Sequence, residues 1–182
     1  IVDFVNEEHP DILALSELNG WLEDDFAKFD DFMNRTGYPN SAFCPSRVGY
    51  HLGIFTDHNI DYSYNNEDFR NGMLKARIEG LTVLLTHLSP NTEDERLSES
   101  EVLHNQYSRD DGVVLLGDMN SLSRIDGYTG VFQDMKSKGI TKFGRESLRY
   151  DVTDRIRELG FQDTTSMFSD DPGHSVPTPF NI

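Results

Sequence analysis

The sequence predicts a mixed α/β domain, and three observations predict it. Met73 to Ile78 alternates apolar Leu74, Ala76 and Ile78 with Lys75 and Arg77, and Leu81 to Thr86 returns after Glu79-Gly80, the pattern of a β-hairpin with a two-residue turn. The short apolar runs Ile12-Leu13-Ala14-Leu15 and Val113 to Leu116 read as buried strands. Between such runs, apolar residues recur at helical spacing, as in Phe26, Phe29, Phe32 and Met33. Strands that occur both in a hairpin and in alternation with helices define the mixed class.

Taken in order, Ile1, Phe4 and Val5 mark an opening helix that Pro10-Asp11 closes with a turn. The strand Ile12–Leu15, buried on both faces, ends in Ser16-Glu17-Leu18-Asn19-Gly20. An amphipathic helix runs from Asp24 to Thr36, and Gly37 terminates it. Tyr50 to Thr56 forms a strand ahead of the hairpin. Thr92-Glu93-Asp94-Glu95 fits a capping box, which starts a helix reaching about Tyr107. The buried strand Val113–Leu116 ends in Gly117-Asp118-Met119-Asn120, and a helix follows from Val131 to Lys138. Asp151 caps a helix carrying Val152, Ile156 and Leu159, with Gly160 just past its end. From Ser169 onward the composition is that of a loop.

The 182 residues are about one domain, residues 1–182, large enough to bury a core without a disulfide or structural metal. A single cysteine, Cys44, precludes an internal bridge and leaves the compartment undetermined. The longest apolar run, Leu81 to Leu88, is too short to span a bilayer, so no membrane span is expected. The chain opens on Ile, without a signal-like segment, and a natural N-terminus upstream is expected. The net charge of −16 repels polyanions at long range. A phosphate-handling protein of this charge needs bound cations, a local basic patch or a small substrate.

Three apolar strands share one property: each ends in residues able to bind a metal or a phosphate. These are Glu17, then Thr86-His87, then Asp118 and Asn120. Strand ends are where an α/β sheet gathers reactive groups, because the sheet holds them rigidly while the loops stay accessible. A hard cation takes carboxylate and amide oxygens, which Glu17, Asp118 and Asn120 supply, and keeps several waters besides. His87 can hydrogen-bond a phosphate oxygen or move a proton. Singly, each residue has a plainer reading as a turn or solvated residue.

The ordered set is more specific. Asp11-Ile-Leu-Ala-Leu-Ser-Glu17, Tyr50-His-Leu-Gly-Ile-Phe-Thr56, Leu84-Leu-Thr-His-Leu-Ser-Pro90 and Val114-Leu-Leu-Gly-Asp-Met-Asn120 follow one another. This resembles the endonuclease/exonuclease/phosphatase superfamily, the deoxyribonuclease-I-like fold. The resemblance implies an α/β (α+β) four-layered sandwich of two mixed β-sheets flanked by helices, here incomplete at both ends. It implies a hydrolase of phosphoester bonds, working by in-line attack of water with Mg²⁺ or Mn²⁺. Glu17 would be the metal ligand, and Asp118 would orient or deprotonate the water. Asn120 would position that aspartate and the scissile phosphate, and His87 would contact the phosphate or assist the leaving group.

Two departures qualify the match. Ser16 stands where the family usually has Gln, and the family's N-terminal Asn-bearing strand and C-terminal R-x-D-Y and S-D-H segments are not in this sequence. His174, in a Pro/Gly-rich loop, is not expected to fill that vacancy, nor are His9, His51, His58 and His104.

One basic stretch stands out: Lys136, Lys138, Lys142, Arg145 and Arg149, among which Lys136, Lys142 and Arg145 are candidates to contact substrate phosphate. A solvated face is its plainer reading. The expected partner is a phosphoester substrate, nucleic acid or a small phosphorylated molecule. A non-catalytic member of the same fold, acting as a binding or scaffold module, is the alternative. A calcium module is not supported, since no D-x-D-x-D-G loop is present. Asn34-Arg35-Thr36 fits the glycosylation acceptor pattern, which is common by chance.

Overall fold

A computed structural model describes residues 1–107, 112–125, 128 and 130–168. The loop expected from Ser169 onward, with His174, lies outside the described residues. Helix α1 spans Val2–Glu8 and leads into strand β1, Ile12–Leu15. A short 3-10 turn, Asp24–Phe26, opens onto helix α2, Ala27–Thr36. Strands β2 (Asn40–Cys44), β3 (Leu52–Thr56), β4 (Ile60–Asn65), β5 (Met73–Ile78) and β6 (Leu81–His87) follow. Helix α3 spans Glu93–Leu103, β7 Gly112–Asp118, α4 Val131–Ser137, α5 Asp151–Glu158 and α6 Thr164–Phe168.

The strands form two sheets: an antiparallel sheet in the order β1-β3-β2, and a mixed sheet in the order β4-β5-β6-β7 whose β6–β7 pair is parallel. Period-2 alternation sorts side chains between layers. Ala42, Cys44, Leu52 and Ile54 of one sheet meet Leu74, Ala76, Ile78, Val83 and Leu85 of the other. Phe55 points the opposite way, toward Val5 of α1 and Phe32 of α2. Leu84 likewise turns outward, toward Leu103 of α3 and Val152 of α5. The result is helices, sheet, sheet, helices: the four layers that the resemblance implied.

Local signals held where they were chemically strong. Glu79 and Gly80 both have positive φ (47° and 85°), the two-residue hairpin turn that pairs Ile78 with Leu81. Gly37 ends α2 in the left-handed conformation, and its N–H donates to the Met33 carbonyl. Thr92 caps α3 by accepting from the Glu95 backbone N–H (3.2 Å). The reciprocal half of the capping box is replaced: the Glu95 carboxylate accepts from Ser89 Oγ (2.6 Å) and Asn91 Nδ2 (2.8 Å). Tyr150, not Asp151, is the residue flanking α5, and Asp151 is the first helical residue. In α2, Thr36 of the glycosylation-like triplet is buried, its hydroxyl donating to the Phe32 carbonyl.

Two differences have a common cause in tertiary pairing, and one does not. Strands β2 (Asn-Ser-Ala-Phe-Cys) and β4 (Ile-Asp-Tyr-Ser-Tyr-Asn) were not anticipated, because each mixes short polar residues with its apolar ones; β3 and β5 supply their hydrogen-bond partners. Helix α6 was also not anticipated, and its cause is local: Asp163 Oδ1 accepts from the Thr165 and Ser166 N–H groups at its start. Strands β1 and β7 were expected to be buried, yet β1 is only partly buried, and Val114 and Leu116 of β7 are 38% and 36% exposed. Each is an edge strand among the described residues, so an apolar run identified the strand but not its place in the sheet.

Candidate active site

The cluster owes its geometry to the parallel β6–α3–β7 crossover. That register sets His87, the last residue of β6, directly opposite Asp118, the last of β7. Parallel neighbours carry their side chains on a common face, so both groups project at the carboxyl ends of the strands. His87 Nε2 lies 3.9 Å from Asp118 Oδ2 and also 3.9 Å from Glu17 Oε1, which reaches in from the turn after β1. The imidazole is sunk, with 5% of its side chain exposed, while the Glu17 and Asp118 side chains are 58% and 51% exposed. His87 thus forms the floor and the two carboxylates the rim. His87 Nδ1 is buried without a hydrogen-bond partner, and the exposed Tyr50 ring stands edge-on to the imidazole at 6.1 Å.

Backbone strain marks the positions that hold these groups. Glu17 (φ 60°) and Asn120 (φ 49°) both adopt the left-handed region, uncommon for residues other than glycine and worth attention where functional groups gather. The Glu17 turn is braced by Leu18 N–H donating to the His51 carbonyl (3.1 Å) and Asn19 N–H to the Glu17 carbonyl (2.7 Å). His51 itself is structural: its Nδ1 accepts from the Ser46 N–H at 2.9 Å, and burial pushes its pKa down, favouring the neutral ring that this bond needs.

Asn120 is held on three sides. Its backbone N–H donates to Asp118 Oδ1 (2.7 Å), its Nδ2 to the Leu88 carbonyl (3.0 Å), and its Oδ1 accepts from Lys142 Nζ (3.4 Å). Leu88 N–H in turn donates to the Asp118 carbonyl (2.9 Å), which links the β6 and β7 exits. Burial and the nearby Arg96 guanidinium push the Lys142 pKa down, and Asp118 opposes them.

Gly117 makes the close approach possible. Its φ is 126°, and a Cβ there would fall 1.7 Å from the Thr86 carbonyl oxygen. Gly117→Ala should therefore break the β6–β7 exit, costing about 2–4 kcal/mol from strain and overpacking. Denaturant unfolding checks this, and an unchanged midpoint would refute the close-packed exit.

The structure thus gathers Glu17, His87, Asp118 and Asn120, and adds Lys142 from the basic stretch. Lys136 and Arg145 are exposed: Lys136 Nζ lies 6.0 Å over the Phe132 ring, and neither residue has a bond to this cluster. Arg149 pairs instead with Asp94 and Asp151. Sequence reasoning missed Arg96 and Asn71. Arg96 is the one cation of an acidic helix, with no sign in the sequence that it is buried. Asn71, also buried, donates to the same Leu88 carbonyl (3.4 Å).

Among the described residues no group of three His, Cys, Asp or Glu side chains comes together as a metal cage. Mg²⁺ does not require one, since it is commonly held by one or two carboxylates with water and phosphate oxygens completing its shell. The half-exposed carboxylate of Glu17 suits that mode.

In overall shape the chain is similar to an AP endonuclease from Archaeoglobus fulgidus, with a TM-score of 0.69, 20% identity, and coverage of 92% of this chain and 67% of that one. It is also similar to a 3′ phosphatase from Neisseria bound to a product DNA hairpin, with a TM-score of 0.62, 16% identity, and coverage of 91% and 67%. A 3′-5′ exonuclease from Neisseria meningitidis gives a TM-score of 0.60 at 15% identity, with coverage of 91% and 70%. At these identities the likeness is one of fold. A search of the curated proteins finds no match. The sequence profile of one family spans residues 1–167, taking in β1, the hairpin, the β6–α3–β7 crossover and the whole strand-end cluster. The chain belongs to the endonuclease/exonuclease/phosphatase family.

Proposed function

We propose that the protein hydrolyses phosphoester bonds with the help of a divalent cation, Mg²⁺ or Mn²⁺. The observation that carries this reading is the convergence of Glu17, His87, Asp118 and Asn120 at the ends of β1, β6 and β7. Glu17 is the residue that would hold the cation, which when bound stabilises charge on the phosphoryl oxygens.

The chain's own groups divide the remaining work. Asp118 accepts a proton from the attacking water as its oxygen bonds to phosphorus in line with the departing oxygen. The Asn120 N–H on Asp118 Oδ1 fixes which carboxylate oxygen faces that water. His87 Nε2, which faces both carboxylates from a sunken ring, donates to a phosphate oxygen or to the leaving oxygen. Lys142 brings a positive charge beside Asn120, offsetting locally a surface that is otherwise strongly acidic. The substrate is nucleic acid or a small phosphorylated molecule, and the neighbours named as an AP endonuclease and as bound to a DNA hairpin favour testing DNA first.

The test is turnover by the full-length protein of bis(p-nitrophenyl) phosphate and of a DNA hairpin with Mg²⁺ or Mn²⁺, abolished by a chelator. No turnover, together with a melting temperature unmoved by either metal, would favour the binding module instead. Lys142→Ala should raise KM and flatten its dependence on salt, since one phosphate contact is lost. Lys136→Ala and Arg145→Ala, assayed alongside, should have smaller effects.

A further inference from the structure

We infer that Arg96 is a positioning residue for this cluster, locking the β6 exit, the β7 exit and the Lys142 loop into one arrangement. The inference rests on the proposed site and adds a residue that touches none of its reacting atoms. Arg96 is fully buried, and its guanidinium donates to three other segments as well as to its own helix. Nη1 donates to the Ser89 carbonyl (3.0 Å), two residues past His87. Nε donates to Ser121 Oγ (3.0 Å), one residue past Asn120. Nη2 donates to Glu93 Oε2 (2.8 Å) and to the Lys142 carbonyl.

The route to the site is short and complete. The Lys142 backbone is held by Arg96 while its ammonium donates to Asn120 Oδ1. Asn120 is simultaneously tethered through Nδ2 to Leu88, adjacent to Ser89. Arg96 therefore fixes both ends of the hydrogen bonds that set the Asn120 amide orientation. Glu93 keeps the guanidinium itself in register: its Oε2 accepts from Arg96 and Ser121 (3.4 Å), and its Oε1 from the Val152 N–H (3.3 Å) at the start of α5.

A planar fork can tie three other segments to its own helix at once, whereas an ammonium of the same charge cannot. Arg96→Lys keeps the buried charge beside Glu93 and gives up the bridging. Because a displacement on the order of 1 Å at a reacting group costs up to roughly a hundredfold, Arg96→Lys should lower kcat/KM by about tenfold or more. Arg96 acts in part through Lys142, so combining Arg96→Lys with Lys142→Ala should cost clearly less than the product of the two single losses. Losses that multiply in full would show the two residues to be independent and overturn the inference.

A second readout needs no turnover. The Asn120 side-chain amide pair in the ¹H–¹⁵N spectrum, identified as the pair missing from Asn120→Asp, should shift in Arg96→Lys while that of Asn34 on α2 stays put. Ser121→Ala cuts the same link from the β7 side and should shift the same pair, even if Arg96→Lys does not fold. An unmoved Asn120 pair in both variants would overturn the inference. A moved pair in a protein that hydrolyses nothing would overturn the proposed function and leave the positioning role standing.

Discussion

Asp118→Asn should leave a folded protein that has lost nearly all turnover. The substitution is isosteric, and an asparagine Oδ1 still accepts the Asn120 N–H, so the turn after β7 keeps its 2.7 Å bond. The parallel pairing with His87 is a backbone property and is likewise retained. What disappears is the basic carboxylate, the group proposed to take the proton of the attacking water. General-base contributions run to about 10²–10⁴ in rate, so kcat should fall by that order while KM stays within about twofold. Steady-state kinetics with the unfolding midpoint as control would decide. A fall in KM affinity with kcat preserved would assign Asp118 to binding and not to the chemical step.

Glu17→Ala should abolish most activity by a different route. Its side chain is more than half exposed, so truncation leaves no buried cavity, and stability should change by less than about 0.5 kcal/mol. The loss is instead expected in cation binding. Raising Mg²⁺ or Mn²⁺ should recover part of the rate in Glu17→Ala and none of it in Asp118→Asn. Isothermal titration of the metal into both variants checks this, with weakened binding expected for Glu17→Ala. Near-normal turnover from Glu17→Ala would remove Glu17 from the metal site altogether. The two variants thus separate a carboxylate that holds a cation from one that handles a proton, although both lie 3.9 Å from the same His87 nitrogen.

These two carboxylates, with His87 and Asn120, were legible as candidates because each ends an apolar run in a polar, chemistry-bearing residue. The hairpin about Glu79-Gly80, the Gly37 stop of α2 and the Thr92 cap of α3 were legible for a related reason. Each is decided by interactions within a few residues, so the local sequence contains the whole cause. The four-layer order was expected from the family resemblance alone, and the structure realises it by turning Leu84 to the helical layer and its neighbours Val83 and Leu85 to the other sheet.

Contacts between distant segments were decided only by the tertiary structure. Strands β2 and β4 have only short, mixed runs of their own, and it is pairing with β3 and β5 that fixes them as strands. The burial of β1 and β7 depended on their position at sheet edges, whatever their composition. Among the basic residues, charge alone could not rank Lys136, Lys142 and Arg145; the fold did so, by bringing Lys142 to Asn120 across 22 residues. Arg96 is the sharpest case. A lone cation in an acidic helix looks like a solvated surface residue, and only the packing of the loops after β6 and β7 against α3 turns it into a buried bridge. Local chemistry specifies which residues could act, whereas the long-range registry that makes them act together is a property of the assembled chain.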